Sequence, residues 1–215
     1  MVILIIILSF LLIVGATWWM GLWSNVLTLA MVFIAAMVAS TAFETTANTI
    51  EEFDPTYTYV ADFLGAWLLF FVTFGVLRLL AELMSKHKLT FDPATDYIGR
   101  SVVSLATAWI FVCFASFTLH MAPAPAELFS GGPQDKILLV GPDRLWLRFM
   151  HSRSKGALAD AKNTPFFPEY TETPHPDDGD LDARVFDPWA DFVFKYRHRR
   201  EKWSNEEQLR VYRQP

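Results

Sequence analysis

The first 43 residues contain no Asp, Glu, Lys or Arg. At 1.5 Å per residue, one unbroken helix of that length would reach about 65 Å, roughly twice the hydrocarbon core of a bilayer. The stretch must therefore fold back on itself. The turn falls at residues 18–25, where Gly21, Ser24 and Asn25 are turn formers and Trp18, Trp19 and Trp23 suit a headgroup belt. Two spans result, over residues 2–19 and 22–43. An acidic loop over 44–58 follows, carrying Glu44, Glu51, Glu52, Asp54 and Pro55. Two more apolar runs, 59–83 and 98–121, are joined by a short basic connection that contains Lys86 and Lys88. The pattern predicts an all-α membrane protein with four transmembrane helices.

Beyond Pro123 the pattern changes. Ten of the 12 prolines lie in residues 123–215, with Gly131, Gly132 and Pro133 as a linker. Segments this rich in proline and charge form short elements and extended connections more readily than one packed core. The chain thus divides into a membrane domain, 1–122, and a Pro-rich, partly helical C-terminal tail, 123–215. Within the tail, Trp146, Phe149, Met150 and Arg153 recur on one face of a helix that starts after Asp143. That helix either lies on the membrane surface or packs on the bundle. Trp189, Phe192, Val193 and Tyr196 repeat the spacing further on.

Composition and charge refine the picture. Apolar residues make up 53% of the chain and aromatic residues 15%, and all 18 Lys and Arg lie at or after Arg78. The net charge of −5 argues against nucleic acid as a partner. Positive charge near short loops is retained in the cytoplasm, so Arg78, Lys86, Lys88 and Arg100 place that connection inside and the tail in the periplasm. The alternative, in which residues 1–16 are a cleaved signal peptide, lacks a basic leading region and would reverse the charge rule. Residues 1–16 are therefore expected to remain as the first span. Cys113 is the only cysteine, so no intrachain disulfide can form.

Candidate chemistry is sparse. Asp62, Arg78 and Glu82 lie in the third span, and ionisable groups at membrane depth are often functional. All three fall near the span's ends, with Arg78 and Glu82 spaced to pair, so interface anchoring is the expectation. His120 has no other metal-binding group nearby in sequence and is expected at the interface. Ala35, Ala36, Ala39 and Ser40 form a small-residue face, expected to pack internally rather than to make a dimer seam. The acidic run over 175–182 fails as an EF-hand, because Ala183 replaces the required glycine and Trp189 the bidentate glutamate. Lys195, Arg197, Arg199, Arg200 and Lys202 form the densest basic run. It either contacts anionic lipid or an acidic partner, or is a solvated face paired with the preceding acidic block. No Gly-x-Ser-x-Gly, His-Glu-x-x-His, phosphate-loop or cysteine-pair motif occurs, so no catalytic residue, metal or cofactor is expected.

Two places carry a family resemblance. One is the turn from Gly21 to Asn25. The other is Asp96, Tyr97, Ile98 and Gly99 before the fourth span. Together with the spans they resemble the CvpA family, the colicin V production proteins, which are small bacterial inner-membrane proteins. The family's first turn usually carries an Arg and a Glu, and its glycine repeat continues at four-residue spacing. Here the turn is uncharged, and Val103 and Thr107 stand at the later positions. Residues 142–150 and 185–188, with Tyr196 and the basic cluster, are similar to the extension of a long-tailed branch. The resemblance implies a non-enzymatic inner-membrane protein supporting toxin production, export or envelope homeostasis through partners. Those partners are the bilayer and other membrane proteins or a second copy of the chain. A small transporter or channel component using Asp62, Arg78 and Glu82 is the alternative. An accessory subunit of a larger membrane complex is a third.

Overall fold

The computed structural model describes residues 2–53, 60–84, 91–122 and 141–154, together with 192, 193 and 195–197. Among these residues the chain is all-helical. Its helices are α1 (Val2–Trp18), α2 (Leu22–Phe53), α3 (Ala61–Met84), α4 (Pro93–Met121) and α5 (Pro142–Ser154). Helices α2, α3 and α4 are long and apolar enough to cross a membrane; α1, with 17 residues, is shorter.

Two helix limits differ from the hydrophobic pattern. Helix α2 does not end at Phe43 but continues to Phe53, for 32 residues, so most of the expected acidic loop is helical. The reason is backbone chemistry. Residues 44–53 contain no Pro or Gly, and charge ends an apolar run without ending a helix. Helix α4 likewise begins at Pro93 rather than Ile98. The Asp92 side chain accepts from the Ala94 amide at 3.2 Å, and Pro93 occupies the first turn, where its missing N–H costs nothing. Residues 54–59, 85–90, 123–140 and 155–190 lie outside the described residues, including Lys86, Lys88 and the acidic run.

Helix α2 is the axis of the bundle, with α3 on one side and α4 on the other, while α1 packs chiefly on α4. Close approach is possible because α2 presents almost no side-chain volume there. Ala35, Ala36, Ala39 and Ser40 are fully buried, in line with internal packing rather than a seam between copies. Gly65 of α3 completes the fit. A Cβ there would sit 3.2 Å from the Phe43 carbonyl oxygen and 3.3 Å from the Ala47 nitrogen, against the backbone of α2.

Aromatic side chains fill the wider space above this seam. The Phe70 and Phe114 rings stack at 5.0 Å, and Phe117 stacks on Phe192 at 4.9 Å. Helix α5 packs on the bundle, with Trp146, Leu147 and Met150 buried in the same core as the membrane helices. Hydroxyls along the apolar helices turn back onto their own backbones. Thr17, Thr28, Ser40 and Thr107 donate to carbonyls four residues earlier, as polar groups must where no water competes.

Enlarging the flush face of α2 should separate α2 from its neighbours. Ala36→Leu is expected to destabilise the protein by about 1–3 kcal/mol, as overpacking does. Thermal unfolding in detergent would show this as a lowered midpoint, whereas Ala30→Leu, on an exposed position of the same helix, should change little.

Candidate functional site

The two turns at one end of the bundle close into a single polar joint. Gly21 adopts φ 76°, a left-handed conformation that favours glycine, and lets the chain reverse between α1 and α2. Its carbonyl starts α2 by accepting from the Asn25 amide at 3.1 Å. The next donor, the Leu22 amide, has no partner within α2. Asp96 of α4 supplies one, its Oδ1 accepting at 2.9 Å. A carboxylate is suited to that place, because a helix N-terminus carries partial positive charge.

Other groups lock the same joint. Asn25 is fully buried, and its amide donates to the Arg100 carbonyl at 3.1 Å and to the Ser104 hydroxyl. Trp18 Nε1 donates to Ser101 Oγ at 3.0 Å. The Arg100 guanidinium lies 4.6 Å from the Trp18 ring centroid, 5.2 Å from that of Tyr97 and 3.7 Å from Asp96 Oδ2. Gly99 faces Leu22 so closely that a Cβ would come within 2.8 Å of its methyl group. Thus Gly21, Asn25, Asp96 and Gly99, singled out in two separate stretches, meet in space. Trp18, Arg100, Ser101 and Ser104 complete the joint without having stood out as site residues.

The opposite end holds a second polar joint, between the bundle and the tail. Asp62 is buried, and Tyr196 Oη donates to its Oδ2 at 2.9 Å. The carboxylate, expected to anchor the helix end at the interface, faces inward onto a tail residue. His120, also expected at the interface, is likewise tied to the tail. It lies at 5% exposure, with Nε2 2.9 Å from Oδ2 of Asp143 on α5, so a carboxylate is nearby in space. Trp146 Nε1 donates to Ser40 Oγ at 2.9 Å. Lys195 lies 3.8 Å from Glu44, both side chains being exposed, so this member of the basic run faces the helical extension of α2. Arg199, Arg200 and Lys202 lie outside the described residues; Arg197 is described and half-buried.

Arg78 and Glu82 belong to neither joint. They pair with each other at 2.7 Å on α3, with 40% and 60% of their side chains exposed. Among the described residues no group of three or more His, Cys, Asp or Glu side chains could hold a metal.

Three long apolar helices around a small-residue axis, fastened by polar joints at their ends, define a multi-pass helical membrane protein. The family model described as colicin V production protein matches residues 1–135, and the chain belongs to that family. No curated protein and no solved structure matches it.

The Asp96 cap separates two roles for one carboxylate. Asp96→Asn keeps an oxygen for the Leu22 amide and loses the charge facing Arg100, whereas Asp96→Ala loses both. Unfolding midpoints in detergent should fall in the order wild type, Asp96→Asn, Asp96→Ala, the last about 1–2 kcal/mol below wild type. Equal midpoints for both variants would assign the effect to charge alone.

Proposed function

We propose that this chain is a non-enzymatic scaffold of the bacterial inner membrane that supports toxin production or export, or envelope homeostasis, through partners. The observation that carries the reading is where the buried polar groups go. Asp96, Asn25, Asp62, His120 and Asp143 each join one element to another rather than lining an open path. Large parts of the outward surface of α1 and α3 are apolar, including Leu4, Leu8, Leu11 and Leu12 of α1 and Leu64, Leu68, Phe71 and Val72 of α3. Such faces meet lipid or the helices of another membrane protein.

In this reading α1 is the fourth span. Its 17 residues give about 25 Å of helix, the short end of what crosses a bilayer. Arg78, Lys86, Lys88 and Arg100 hold their end in the cytoplasm, leaving the tail in the periplasm as the part that reaches partners. The transporter alternative uses Asp62, Arg78 and Glu82, but Asp62 is bonded to Tyr196 and Arg78 to Glu82, which favours the scaffold.

Two measurements test it. Reporter fusions after Thr49, Leu89 and Pro215 should read periplasm, cytoplasm, periplasm; the reverse order would move the tail and its partners inside. In a strain lacking the protein, Asp62→Asn and Glu82→Gln should restore the phenotype. Deletion of residues 189–215 should insert but fail to restore it. Loss of function in the two amide variants at normal abundance would favour a transport pathway instead.

A further inference from the structure

Helix α3 is covered unevenly. Its buried residues, Ala61, Asp62, Gly65, Ala66 and Phe70, all lie in its first ten positions, where Gly65 meets the α2 backbone. From Phe71 to Met84 none is buried. Over this second half, a cleft of about 260 Å³ opens between α3 and the start of α2. Its walls are Trp23, Leu27, Met31 and Ala81, and its polar groups are Ser24, Arg78 and Glu82.

The cleft is amphipathic in an ordered way. Leu27 and Met31 run down α2 away from its start, the direction an acyl chain would take into the hydrocarbon. Ser24, Arg78 and Glu82 lie at the end where α1 turns into α2, and Trp23 has the amphipathic ring typical of the headgroup level. Bulk lipid would suffice to cover an apolar slot. An Arg–Glu pair at its rim adds a specific demand.

Arg78 uses Nε in its contact with Glu82. A guanidinium has five N–H donors, so the two terminal nitrogens supply a fork matched to phosphate oxygens. Glu82 is 60% exposed and, as an ionised carboxylate, only accepts hydrogen bonds. Positions four apart on a helix lie about 5–6 Å apart at Cβ. The two side chains rise from adjacent turns and meet at 2.7 Å, so the pair presents a cation and an anion side by side, complementary to a headgroup that carries its own anion and cation in sequence.

We propose that the α2–α3 cleft binds one phospholipid whose headgroup joins a phosphate to a primary ammonium, an ethanolamine phospholipid. Arg78 takes the phosphate, Glu82 accepts from the ammonium, and one acyl chain lies along Leu27 and Met31. A glycerol headgroup would satisfy Arg78 with its phosphate but offers Glu82 only neutral hydroxyl donors, which make a weaker bond to a carboxylate than an ammonium does. A choline headgroup carries the charge without an N–H to donate. The selectivity thus rests on Glu82 and the affinity on Arg78. This inference is independent of the scaffold reading.

Competition binding to the full-length protein in detergent, read by native mass spectrometry, tests it. The probes are phosphatidylethanolamine, phosphatidylglycerol and phosphatidylcholine at equal concentration. One phosphatidylethanolamine is expected to be retained preferentially, with Arg78→Gln lowering its retention about tenfold. Glu82→Gln should erase the preference over phosphatidylglycerol. Ala81→Phe, which fills the cleft and leaves both charges, should lower retention of all three lipids and keeps the test open if a charge variant fails to insert. Free phosphoethanolamine should not displace the lipid, because it has no chain for the apolar wall. Equal retention of the three lipids, preference for phosphatidylglycerol, displacement by free phosphoethanolamine, or indifference to Ala81→Phe would each overturn the proposal.

Discussion

Helix α2 can be approached from two sides because its contact face is nearly empty of side-chain atoms. In hydrocarbon, apolar burial gives helices little reason to associate, so packing contacts and hydrogen bonds must hold them. Both require short distances. Ala35, Ala36 and Ala39, each fully buried, bring neighbouring helices against the α2 surface. Gly65 brings the α3 backbone against that of α2. Ser40, in the same row, bonds to its own helix and accepts from Trp146 of the tail. The fold depends on that row, since a larger side chain anywhere along it would part α2 from α3, α4 or α5.

The polar joints follow from the same constraint. A helix that turns at the membrane edge leaves unpaired amides at its start, and water is scarce on the side facing its neighbours. Asp96 reaches from α4 to the first amide of α2, and Asn25 reaches back to the Arg100 carbonyl of α4. Asp96 satisfies an amide that α2 could not satisfy alone, and Asn25 adds a second link between the same two helices. Interhelical hydrogen bonds in membranes average about 0.6 kcal/mol, so the joint acts through several bonds at one place rather than through any single one. At the other end, His120 with Asp143 and Tyr196 with Asp62 fasten the tail to the bundle in the same manner.

Much of this was readable from residue order. The turn at Gly21, the apolar runs and the amphipathic face of Trp146 and Met150 each depend on local spacing, and each stands where spacing puts it. The helix limits at Phe53 and Pro93 were misplaced because hydropathy marks where a chain leaves lipid, whereas Asp92, Pro93 and an unbroken backbone decide where a helix starts and stops. The tail joint was invisible for another reason. His120 and Asp143 are 23 residues apart, and Asp62 and Tyr196 are 134 apart, across proline-rich segments whose composition argued against packing. No periodicity relates such residues, so Asp62 and His120 could be read only as interface groups.

The two stretches that carry the family resemblance gain a meaning from this geometry, and so do the places where the resemblance fails. Gly21 and Asp96 lie 75 positions apart, yet the first makes the reversal and the second caps the helix that follows it. Gly99 completes the joint by admitting Leu22. Further along α4, at the two positions where later glycines are missing, Thr107 is fully buried and Val103 is half-buried. The Thr107 hydroxyl is satisfied within its own helix, by the Val103 carbonyl. The absent charges of the first turn have a counterpart too. Arg100, against Trp18 and Asp96, brings a cation to the turn from the facing helix. The turn therefore keeps a charged surround although its own residues carry none.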